Sequence, residues 1–377
     1  MKKTVIVGGG PCGMTAALRI KKRYPEREVC IIEKSDQIGK RIKVSGNGRC
    51  NFSNEKIAAA YYHNGFLIDA ILSEFLSVQK SFYEELNLPS YADDEGRIYP
   101  LSNSSKTVWN AFYHALIKAG IRILTSCELM GYERREKFYL TTSSGTMEAD
   151  DLILCFGGAA YLYSDSMHRL LNDRYGIAVR NLHPSLCPLK VKERIPKCLI
   201  GKRARGTISV WIDGRNAYSE TGEILFKKDG ISGIVVFNIS SFLADLSHFD
   251  DCVFHIDFIP DISEETVRKQ ERIFGRKETI ASYVVEELAF WIEERYADAF
   301  EGLSAFVLHY SGFYPLSEAQ VTSGGVLLEE MDMNRLCLKK DPHLFIGGEL
   351  LDVDGRCGGY NIFFAVASGY FIGNHLD

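Results

Sequence analysis

The sequence lacks the features of a membrane protein, a disulfide-linked secreted protein or a general nucleic-acid binder. No apolar run reaches the roughly 18 residues of a membrane-spanning helix, and the opening apolar stretch is broken by glycine too early for a signal peptide. The ten cysteines show no C-x-x-C spacing, so we expect reduced thiols and no metal site. The net charge of −5 argues against a nucleic-acid partner. These absences predict a cytoplasmic protein without a membrane partner.

The most informative stretch lies at the beginning of the chain, where an apolar run meets a cluster of glycines. Gly8, Gly10 and Gly13 have the spacing G-x-G-x-x-G, and a helix-forming stretch follows them. Between a strand and a helix, the first glycine permits a tight turn, the second lets the backbone approach a pyrophosphate, and the third permits close packing. The helix N-terminus adds N–H groups for the phosphates. Pro11 and Cys12 of the same turn are therefore candidate binding residues too.

An acidic residue stands where this type of nucleotide site requires one. Val29–Ile32 predicts a second buried strand, and Glu33 follows it, about twenty residues after Gly13. An acid at this position accepts hydrogen bonds from the ribose hydroxyls of a dinucleotide. The motif therefore predicts a dinucleotide cofactor, but by itself it fits FAD and NAD equally well.

A basic, glycine-rich loop follows this acid. Arginine and lysine side chains bind phosphate, and the free backbone N–H groups of such a loop form an anion-binding concavity. We therefore expect the loop to wrap an anionic cofactor. The alternative is an ordinary surface loop with turn-forming residues. The candidate binding residues of the loop are Lys34, Arg41, Ser45, Gly46, Arg49, Cys50 and Asn51.

The remaining pattern predicts an α/β protein of more than one domain, as the length of 377 residues suggests. Helical structure is expected from Ile57 to Leu88, and helices at Ser105–Ala119 and Tyr360–Asn374. One buried strand is expected at Asp151–Gly158, running into a pair of glycines, and another at Leu344–Glu349, ending in an acid. Glycine-rich turns are expected at Thr322–Val326. In the middle of the chain, short strands are expected at Thr207–Ile212, Asn216–Ser219, Ile234–Asn238 and Cys252–Phe258. We predict one discontinuous domain from residues 1–188 and 315–377, and an inserted β-rich domain at 189–314 with a helical segment at about 262–300.

Several blocks of the sequence are similar to those of a known bacterial family. Together with the opening glycine motif, they resemble the flavoproteins described as NAD(P)/FAD-dependent oxidoreductases of the YhiN/BaiN-like type. The matches are spread along nearly the whole chain. These blocks are Gly39–Arg41, Ser45–Asn51, Gly222–Phe226, Gly230–Gly233, Thr322–Val326, Gly347–Gly355 and Gly358–Asn361.

The resemblance implies a Rossmann-type two-dinucleotide FAD-binding domain with an inserted β-barrel-like domain. In such a site Leu129 would hold the adenine through its backbone, and Glu349 would accept hydrogen bonds from hydroxyls near the phosphates or on the ribityl chain. The backbone N–H groups near Asn361 and Ile362, at a helix N-terminus, would face the flavin pyrimidine. The further candidate cofactor-binding residues are thus Leu129, Gly157, Gly348, Glu349, Gly359, Asn361 and Ile362.

The resemblance also implies an FAD-dependent oxidoreductase that transfers a hydride to or from a small organic substrate, as in the reduction of an enone with NAD(P)H. Because the sequence has no second G-x-G-x-x-G motif, NAD(P)H would bind only transiently as a reductant. Three alternatives stay open: a flavin-dependent amine or aminoketone oxidase, an NAD(P)-dependent dehydrogenase without flavin, and an FAD-binding protein without turnover. The sequence assigns no catalytic residue, although His183, His255 and His309 are candidate proton donors by residue type, and Cys50 is a candidate redox-active thiol. It does not determine the oligomeric state.

Overall fold

A computed structural model describes residues 1–160, 166–246 and 248–376. These residues divide into two units. The first unit contains residues 1–159, 166–182 and 323–376, and the second contains residue 160 and residues 183–246 and 248–322. The domain boundaries expected from the sequence, after residue 188 and before residue 315, stay a prediction.

The helices of the described residues are, in chain order, α1 (Pro11–Arg23), α2 (Lys40–Val44), α3 (Gly65–Leu76), α4 (Gln79–Glu85), α5 (Ser105–Lys118), α6 (Ser166–Tyr175), α7 (Ile234–Ala244), α8 (Glu264–Phe274), α9 (Arg276–Tyr283), α10 (Glu286–Arg295), α11 (Ala299–Ser304) and α12 (Tyr360–His375). Within this part of the chain, no helix combines the length and the apolar composition that are needed to cross a bilayer.

The strands of the same residues are β1 (Lys3–Val7), β2 (Glu28–Ile32), β3 (Ser53–Asn54), β4 (Ser90–Ala92), β5 (Arg97–Pro100), β6 (Arg122–Leu124), β7 (Leu129–Arg134), β8 (Phe138–Thr142), β9 (Gly145–Ala149), β10 (Asp151–Leu154), β11 (Val179–Ser185), β12 (Leu189–Val191), β13 (Arg203–Ile212), β14 (Arg215–Lys227), β15 (Gly230–Ser232), β16 (Cys252–Asp257), β17 (Phe306–Phe313), β18 (Val321–Val326), β19 (Met331–Asp332), β20 (Cys337–Leu338) and β21 (Asp341–Ile346).

The main sheet of the first unit brings the sequence motifs to one edge. Its strand order in the described residues is β19-β20-β21-β10-β1-β2-β6, and the five strands from β21 to β6 run parallel. The central strands are continuous buried apolar runs, as expected where a parallel sheet is covered on both faces. Gly8, Glu33, Gly157 and Gly347 follow the carboxyl ends of β1, β2, β10 and β21. Open α/β sheets bind their ligands at that edge.

The first and last helices of the chain pack directly on each other because α12 has glycines where they touch. A Cβ on Gly369 would lie 2.2 Å from the carbonyl oxygen of Cys12. A Cβ on Gly373 would lie 2.6 Å from the Cβ of Arg19. Only residues without side chains permit this approach, so the helix that follows the first motif lies against the helix that follows the last one.

Most of the elements predicted for this unit are confirmed. The predicted helices correspond to α5 and α12, the strand predicted from Asp151 corresponds to β10, which ends at Leu154, and the region Ile57–Leu88 contains two helices, α3 and α4. The prediction of turns at Thr322–Val326 was wrong, because these residues lie in β18. Gly324 and Gly325 occur there because a Cβ would lie 2.3 Å from the carbonyl oxygen of Asn181 and 2.6 Å from that of Leu350, respectively.

The second unit contains the expected barrel. Among the described residues, the strands β12-β15-β14-β13-β16-β17 form a closed barrel of antiparallel pairs. Alternate residues of β13 and β16 are buried, for example Ile208 and Val210 facing Phe254 and Ile256. This period of two residues is that of strands with one face toward a core. The barrel core is therefore built from apolar side chains.

Two predictions for the second unit have different outcomes. The helical segment expected at about 262–300 is confirmed as α8, α9, α10 and the start of α11. The strand expected at Ile234–Asn238 was wrong, because these residues begin α7. The β-branched residues favour a strand locally, but Val235, Ile239 and Leu243 recur every four residues and are buried together on one face of the helix.

Candidate functional site

The loop between β1 and α1 leaves room for a phosphate. Gly8 has a φ of +108°, and a Cβ there would lie 2.5 Å from the carbonyl oxygen of Cys155. A Cβ on Gly13 would lie 2.1 Å from the carbonyl oxygen of Gly8. A Cβ on Gly10, by contrast, would meet no atom of the described residues within 4 Å. This open space at the start of α1, where Pro11 is the first helical residue, has the geometry that the sequence motif predicts for a pyrophosphate site.

Glu33 forms hydrogen bonds that connect the loop between β1 and α1 with the segments that follow β2. Its Oε2 accepts a hydrogen bond from the N–H of Gly9 at 2.9 Å, and its Oε1 accepts one from the N–H of Ser35 at 2.8 Å. Its carbonyl oxygen accepts from the N–H of Cys127 at 2.9 Å, which brings the start of β7, with Leu129 buried, to the same end of the sheet. A carboxylate offers about four acceptor positions, so ribose hydroxyls can share Glu33 with the two backbone donors.

Arg41 in α2 joins segments that are far apart in the sequence. Its Nη1 donates to Oε2 of Glu349 at 2.6 Å, and its Nη2 donates to the carbonyl oxygen of Gly158 at 2.8 Å. Gly157 has a φ of +81°, and a Cβ there would lie 3.4 Å from Nη1 of Arg41. The basic loop, the end of β10 and the C-terminal acid therefore meet at one guanidinium group.

The glycines after β21 pack on the first turn of α1. A Cβ on Gly347 would lie 2.8 Å from Sγ of Cys12, and one on Gly348 would lie 3.1 Å from Cβ of Cys12. The N–H of Gly348 donates to Oγ of Ser368 at 2.9 Å. This bond fixes the turn that carries Glu349 onto α12. The two ends of the sequence thus form a single cluster.

The start of α12 meets the strand that follows the basic loop. Nδ2 of Asn54 donates to the carbonyl oxygen of Gly358 at 2.9 Å. Gly359 has a φ of +100°, and a Cβ there would lie 2.2 Å from the carbonyl oxygen of Ser53. Gly359 is therefore required for the close approach of these two segments, and β3 connects the basic loop with the N-terminus of α12.

The side chain of Asn361 holds the preceding loop, so only its backbone N–H group is a candidate ligand donor. Its Oδ1 accepts from the N–H of Gly355 at 2.8 Å, and its Nδ2 donates to the carbonyl oxygen of Gly355 at 2.8 Å. Ile362 follows in the same helical turn. The first N–H groups of a helix have no acceptor within the helix, so the backbone donors of Asn361 and Ile362 suit an anionic or polar ligand edge.

The glycine-rich part of the basic loop folds back on itself. Gly46 and Asn47 both have positive φ angles, 55° and 54°, and a Cβ on Gly46 would lie 3.0 Å from the backbone nitrogen of Asn51. The N–H of Cys50 donates to the carbonyl oxygen of Ser45 at 3.1 Å. Successive backbone groups in this conformation line a concavity suited to an anion.

The structure does not bring every cation of this loop to the cluster. Arg49 is exposed, and its guanidinium lies 4.8 Å from the centre of the Tyr99 ring. Lys34 is exposed too, and among the described residues no hydrogen bond or ion pair joins it to Arg41 or Glu349. Arg41 is therefore the cation with direct geometric support as a cofactor-binding residue.

Cys50 is a poor candidate for a reactive thiol. Its side chain is fully buried, and burial raises its pKa to about 11, although a hydrogen bond with Ser45 acts in the opposite direction. Reactive cysteines have lowered pKa values, because the thiolate is the nucleophile. The thiol of Cys50 is thus protonated at neutral pH, which favours a packing role.

An ion pair with a buried carboxylate, which was not predicted from the sequence, lies next to the C-terminal block. Asp352 is 2% exposed, and Nε of Arg180 donates to both of its carboxylate oxygens at 2.9 Å. Burial tends to raise the pKa of Asp352, but hydrogen bonds from His63 and Arg180 outweigh it and hold the pKa below its ordinary value. The acid lies in a recognised glycine-rich block and could have been singled out. Nothing in the sequence around Arg180 marks it as the partner.

The histidines proposed as proton donors all belong to the second unit. Nδ1 of His309 lies 2.6 Å from Oε1 of Glu193. Burial, with a smaller effect of His309, lowers the pKa of His255. His183 is exposed in β11. These contacts by themselves assign no catalytic role to the three histidines.

Comparison with known proteins agrees with this arrangement. Residues 2–375 match the family model described as the HI0933-like protein Rossmann domain. A 3-dehydro-bile acid delta(4,6)-reductase from Clostridium scindens is 29% identical over 406 residues, which cover 99% of this chain and 98% of that protein. A ribosomal RNA dihydrouridine synthase from Haemophilus influenzae is 25% identical over 406 residues, which cover 98% of this chain and 96% of that protein.

Solved structures show the same fold at low sequence identity. A 3-ketosteroid delta1-dehydrogenase from Sterolibacterium denitrificans has a TM-score of 0.51 and 12% identity, covering 100% of this chain and 99% of that one. A flavocytochrome c3 fumarate reductase has a TM-score of 0.51 and 13% identity, covering 100% of this chain and 79% of that one. The family match extends over almost the whole sequence and includes every residue of the cluster described above. This chain belongs to the HI0933-like family of Rossmann-domain proteins.

Proposed function

We propose that this chain is an FAD-dependent oxidoreductase that reduces a carbon–carbon double bond conjugated to a carbonyl group in a small organic molecule. The observation that carries the proposal is the cluster in which Arg41 bonds Glu349 while Gly347 and Gly348 pack on Cys12. Both ends of the sequence thereby surround one space. Since the sequence has a single G-x-G-x-x-G motif, that space suits one extended dinucleotide.

The residues of the first unit fit FAD from end to end. Gly10 leaves room for the pyrophosphate at the positive end of α1. Glu33 has acceptor positions for the ribose hydroxyls of the adenosine half, and the start of β7 lies at that end of the sheet. Arg41 holds the carboxylate of Glu349 in place to accept from hydroxyls near the phosphates.

FAD held by these residues would supply the two-electron chemistry of hydride transfer. The protein has to bind it, orient it and exclude water. The N-terminus of α12, with the backbone N–H groups of Asn361 and Ile362, favours negative charge at the pyrimidine edge by about 1 kcal/mol. Asn361 also fixes the loop in front of this helix through its two bonds to Gly355. NAD(P)H is the proposed reductant and would bind only during reduction.

The relatives support the class of substrate. One is named for the reduction of a 3-dehydro-bile acid at delta(4,6) positions, and another for the formation of dihydrouridine. Uridine and an unsaturated 3-keto steroid share a carbon–carbon double bond conjugated to a carbonyl group. A hydride added to the carbon remote from the carbonyl produces an enolate, which is then protonated. The shared chemistry therefore concerns the double bond, while the size of the molecule around it differs.

The second candidate substrate is uridine in ribosomal RNA. Two relatives along nearly the full chain are named ribosomal RNA dihydrouridine synthases, at 25% and 23% identity. The net charge of −5 favours a small molecule over RNA, because an RNA-binding surface needs an excess of positive charge. We therefore propose a small enone as the substrate, and the second experiment below also tests ribosomal RNA.

The first experiment concerns the cofactor. The purified protein should contain FAD or take it up in equal molar amount, and NADH or NADPH should bleach the flavin absorbance without oxygen. Protein that takes up no FAD would overturn the proposal, and binding of NAD(P)H by flavin-free protein would then favour the dehydrogenase alternative. Flavin that no nicotinamide reduces, but that amines do reduce, would favour the amine oxidase. Flavin that neither of them reduces would indicate a binding protein without turnover.

The second experiment concerns the substrate. The reduced protein is mixed without oxygen with an unsaturated 3-keto steroid, with its saturated ketone as the matched control, and with a ribosomal RNA transcript. We expect flavin absorbance to return with the unsaturated ketone alone, together with a product heavier by two hydrogens. Return of absorbance with the RNA, and dihydrouridine in its digest, would instead establish the second candidate. Equal reoxidation by the saturated ketone would contradict reduction of the double bond.

A further inference from the structure

The first unit has a pocket at the end of α1 that lies away from the glycine loop. The pocket has a volume of about 430 Å³ and is lined by residues of the second half of α1, of α4, of the end of α5, and by Tyr370 of α12. That volume lies in the range of small-molecule sites, about 300–1,000 Å³. At about 1.5 Å per residue, Lys22 is about 16 Å along the helix axis from Pro11. The pocket is therefore separate from the space in front of Gly10.

The floor of this pocket is apolar. Phe82, Leu86 and Tyr370 are buried beneath it, and Leu18, Val78 and Ala115 line it as half-buried residues. The guanidinium of Arg19 lies 4.7 Å from the centre of the Tyr370 ring, which keeps this cation next to the apolar floor. Such a surface accommodates a hydrocarbon body while leaving its polar end at the rim.

The rim carries mostly positive charge. Arg19, Lys21 and Lys22 line the pocket together with a single carboxylate, that of Glu85. Nζ of Lys22 lies 2.7 Å from both carboxylate oxygens of Glu85, and both side chains are 55% exposed. Exposed ion pairs of this kind contribute little, so an incoming carboxylate can take the place of Glu85. Three cations against one acid leave the rim with an excess of positive charge.

We propose that this pocket binds an amphipathic monoanion, a hydrocarbon body with a carboxylate at one end, at a site separate from the cofactor site. The hydrocarbon contacts Phe82, Leu86 and Tyr370, and the carboxylate contacts the ammonium group of Lys22. The ammonium group of Lys21 donates to the carbonyl oxygens of Pro25 and Arg27 and adds positive charge nearby. The selection for charge comes from the rim, and the selection for an apolar body comes from the floor. A neutral molecule of the same length gains the second contribution without the first.

The test uses the full-length protein loaded with FAD, and decanoate as the probe. Calorimetry should give saturable binding of one decanoate per chain. Decan-1-ol should bind more weakly, and decyltrimethylammonium more weakly still. Lys22→Gln should weaken decanoate binding about two- to fivefold, and Glu85→Gln should strengthen it by a similar factor. Arg23→Gln is the matched control, because Arg23 is the exposed neighbour of Lys22 on α1 and does not line the pocket.

A second arm tests the volume of the pocket. Ala115→Phe places a ring into the space and should weaken decanoate binding at least about tenfold, while the flavin spectrum and the melting temperature show that the variant is folded. Failure of decanoate to saturate, equal affinity for decan-1-ol, or an equal effect of Arg23→Gln and Lys22→Gln would each overturn the proposal. Unchanged affinity in a folded Ala115→Phe variant would overturn it too. If Ala115→Phe does not fold, the opposite changes in decanoate affinity expected for Lys22→Gln and Glu85→Gln still test the proposal, and their absence would overturn it.

Discussion

Replacing Gly10 by alanine should weaken cofactor binding without disrupting the fold. Gly10 has φ −79° and ψ −177°, which alanine adopts without strain, and its added Cβ would meet no described atom within 4 Å. The loss of glycine at the helix N-cap costs about 1 kcal/mol. The lower entropy of the unfolded chain returns about 0.4–1 kcal/mol. We therefore expect the free energy of unfolding of the flavin-free protein to change by less than about 1 kcal/mol.

The same methyl group stands where the pyrophosphate has to approach the backbone. Hydrogen bonds to a charged group contribute about 1.5–3 kcal/mol each, and the loss of one of them raises the dissociation constant of FAD about ten- to hundredfold. Fluorescence titration of flavin-free protein with FAD measures this constant, and urea denaturation of the same samples measures stability. An FAD affinity equal to that of the unchanged protein would refute the assignment of this space to the pyrophosphate.

Gly13→Ala is the matched comparison. Its Cβ would lie 2.1 Å from the carbonyl oxygen of Gly8, so the backbone of the loop has to move, at a cost of about 1–3 kcal/mol or more. The two alanine variants should therefore differ in their effects. Gly10→Ala should bind FAD more weakly at nearly constant stability, whereas Gly13→Ala should lower both FAD affinity and the free energy of unfolding. Equal loss of stability in the two variants would show that the space at Gly10 is not open.

Three further predictions follow from single contacts. Because burial raises the pKa of Cys50 to about 11, iodoacetamide at neutral pH should label the exposed Cys198 and leave Cys50 unlabelled, as peptide mass analysis will show; rapid labelling of Cys50 would contradict its burial. Asp352→Asn should lower the free energy of unfolding by about 1.5–3 kcal/mol at neutral pH. Because the folded pKa of Asp352 is below its unfolded value, this difference is present above about pH 4 and should shrink as the pH falls further in urea denaturation; a pH-independent difference would exclude this ionisation. Asp151→Asn leaves the buried guanidinium of Arg27 without its carboxylate and should cost about 3–5 kcal/mol, measured in the same way; a loss below about 1 kcal/mol would show that the pair is not buried in solution.

The parts of the fold that follow from local physics could be predicted from the sequence. The opening motif specifies a strand, a turn and a helix within a short stretch, because Gly8 needs a positive φ and Gly13 a close backbone approach. The helix α5 could be predicted because its apolar residues have one helical period and Gly120, with a φ of +68°, follows its C-cap. In these cases the residues that determine the local structure are close together in the sequence.

The wrong predictions arose where local propensity and packing disagree. Ile234–Val236 is β-branched and favours a strand by propensity, but the four-residue spacing of buried side chains makes it the start of α7. The glycines of Thr322–Val326 suggested turns, although they occur in β18 because Asn181 and Leu350 come close to its backbone. Gly324 and Gly325 are each required by the close approach of a segment that is distant in the sequence, and a single sequence does not reveal such an approach.

The candidate site, too, could be predicted only in part from the sequence. The sequence could predict the residue types that contact an anion, but it could not predict that Arg41 meets Glu349, which is 308 positions away. Nor could it predict that Ser368 fixes the turn at Gly348. Such contacts depend on strand order, because β1, β10 and β21 are neighbours in the sheet although the chain between them is long.

This dependence has a thermodynamic consequence for the first unit. The groups that would hold FAD come from the loop after β1, from α2, from the end of β10 and from the turn before α12. None of these segments forms the site by itself, so the cofactor binds the folded unit and not the unfolded chain. A ligand of this kind stabilises the folded state by about 2.7 kcal/mol when its concentration is about a hundred times its dissociation constant. The long-range contacts of Arg41 with Glu349 and of Cys12 with Gly347 therefore couple cofactor affinity to the association of the two ends of the chain.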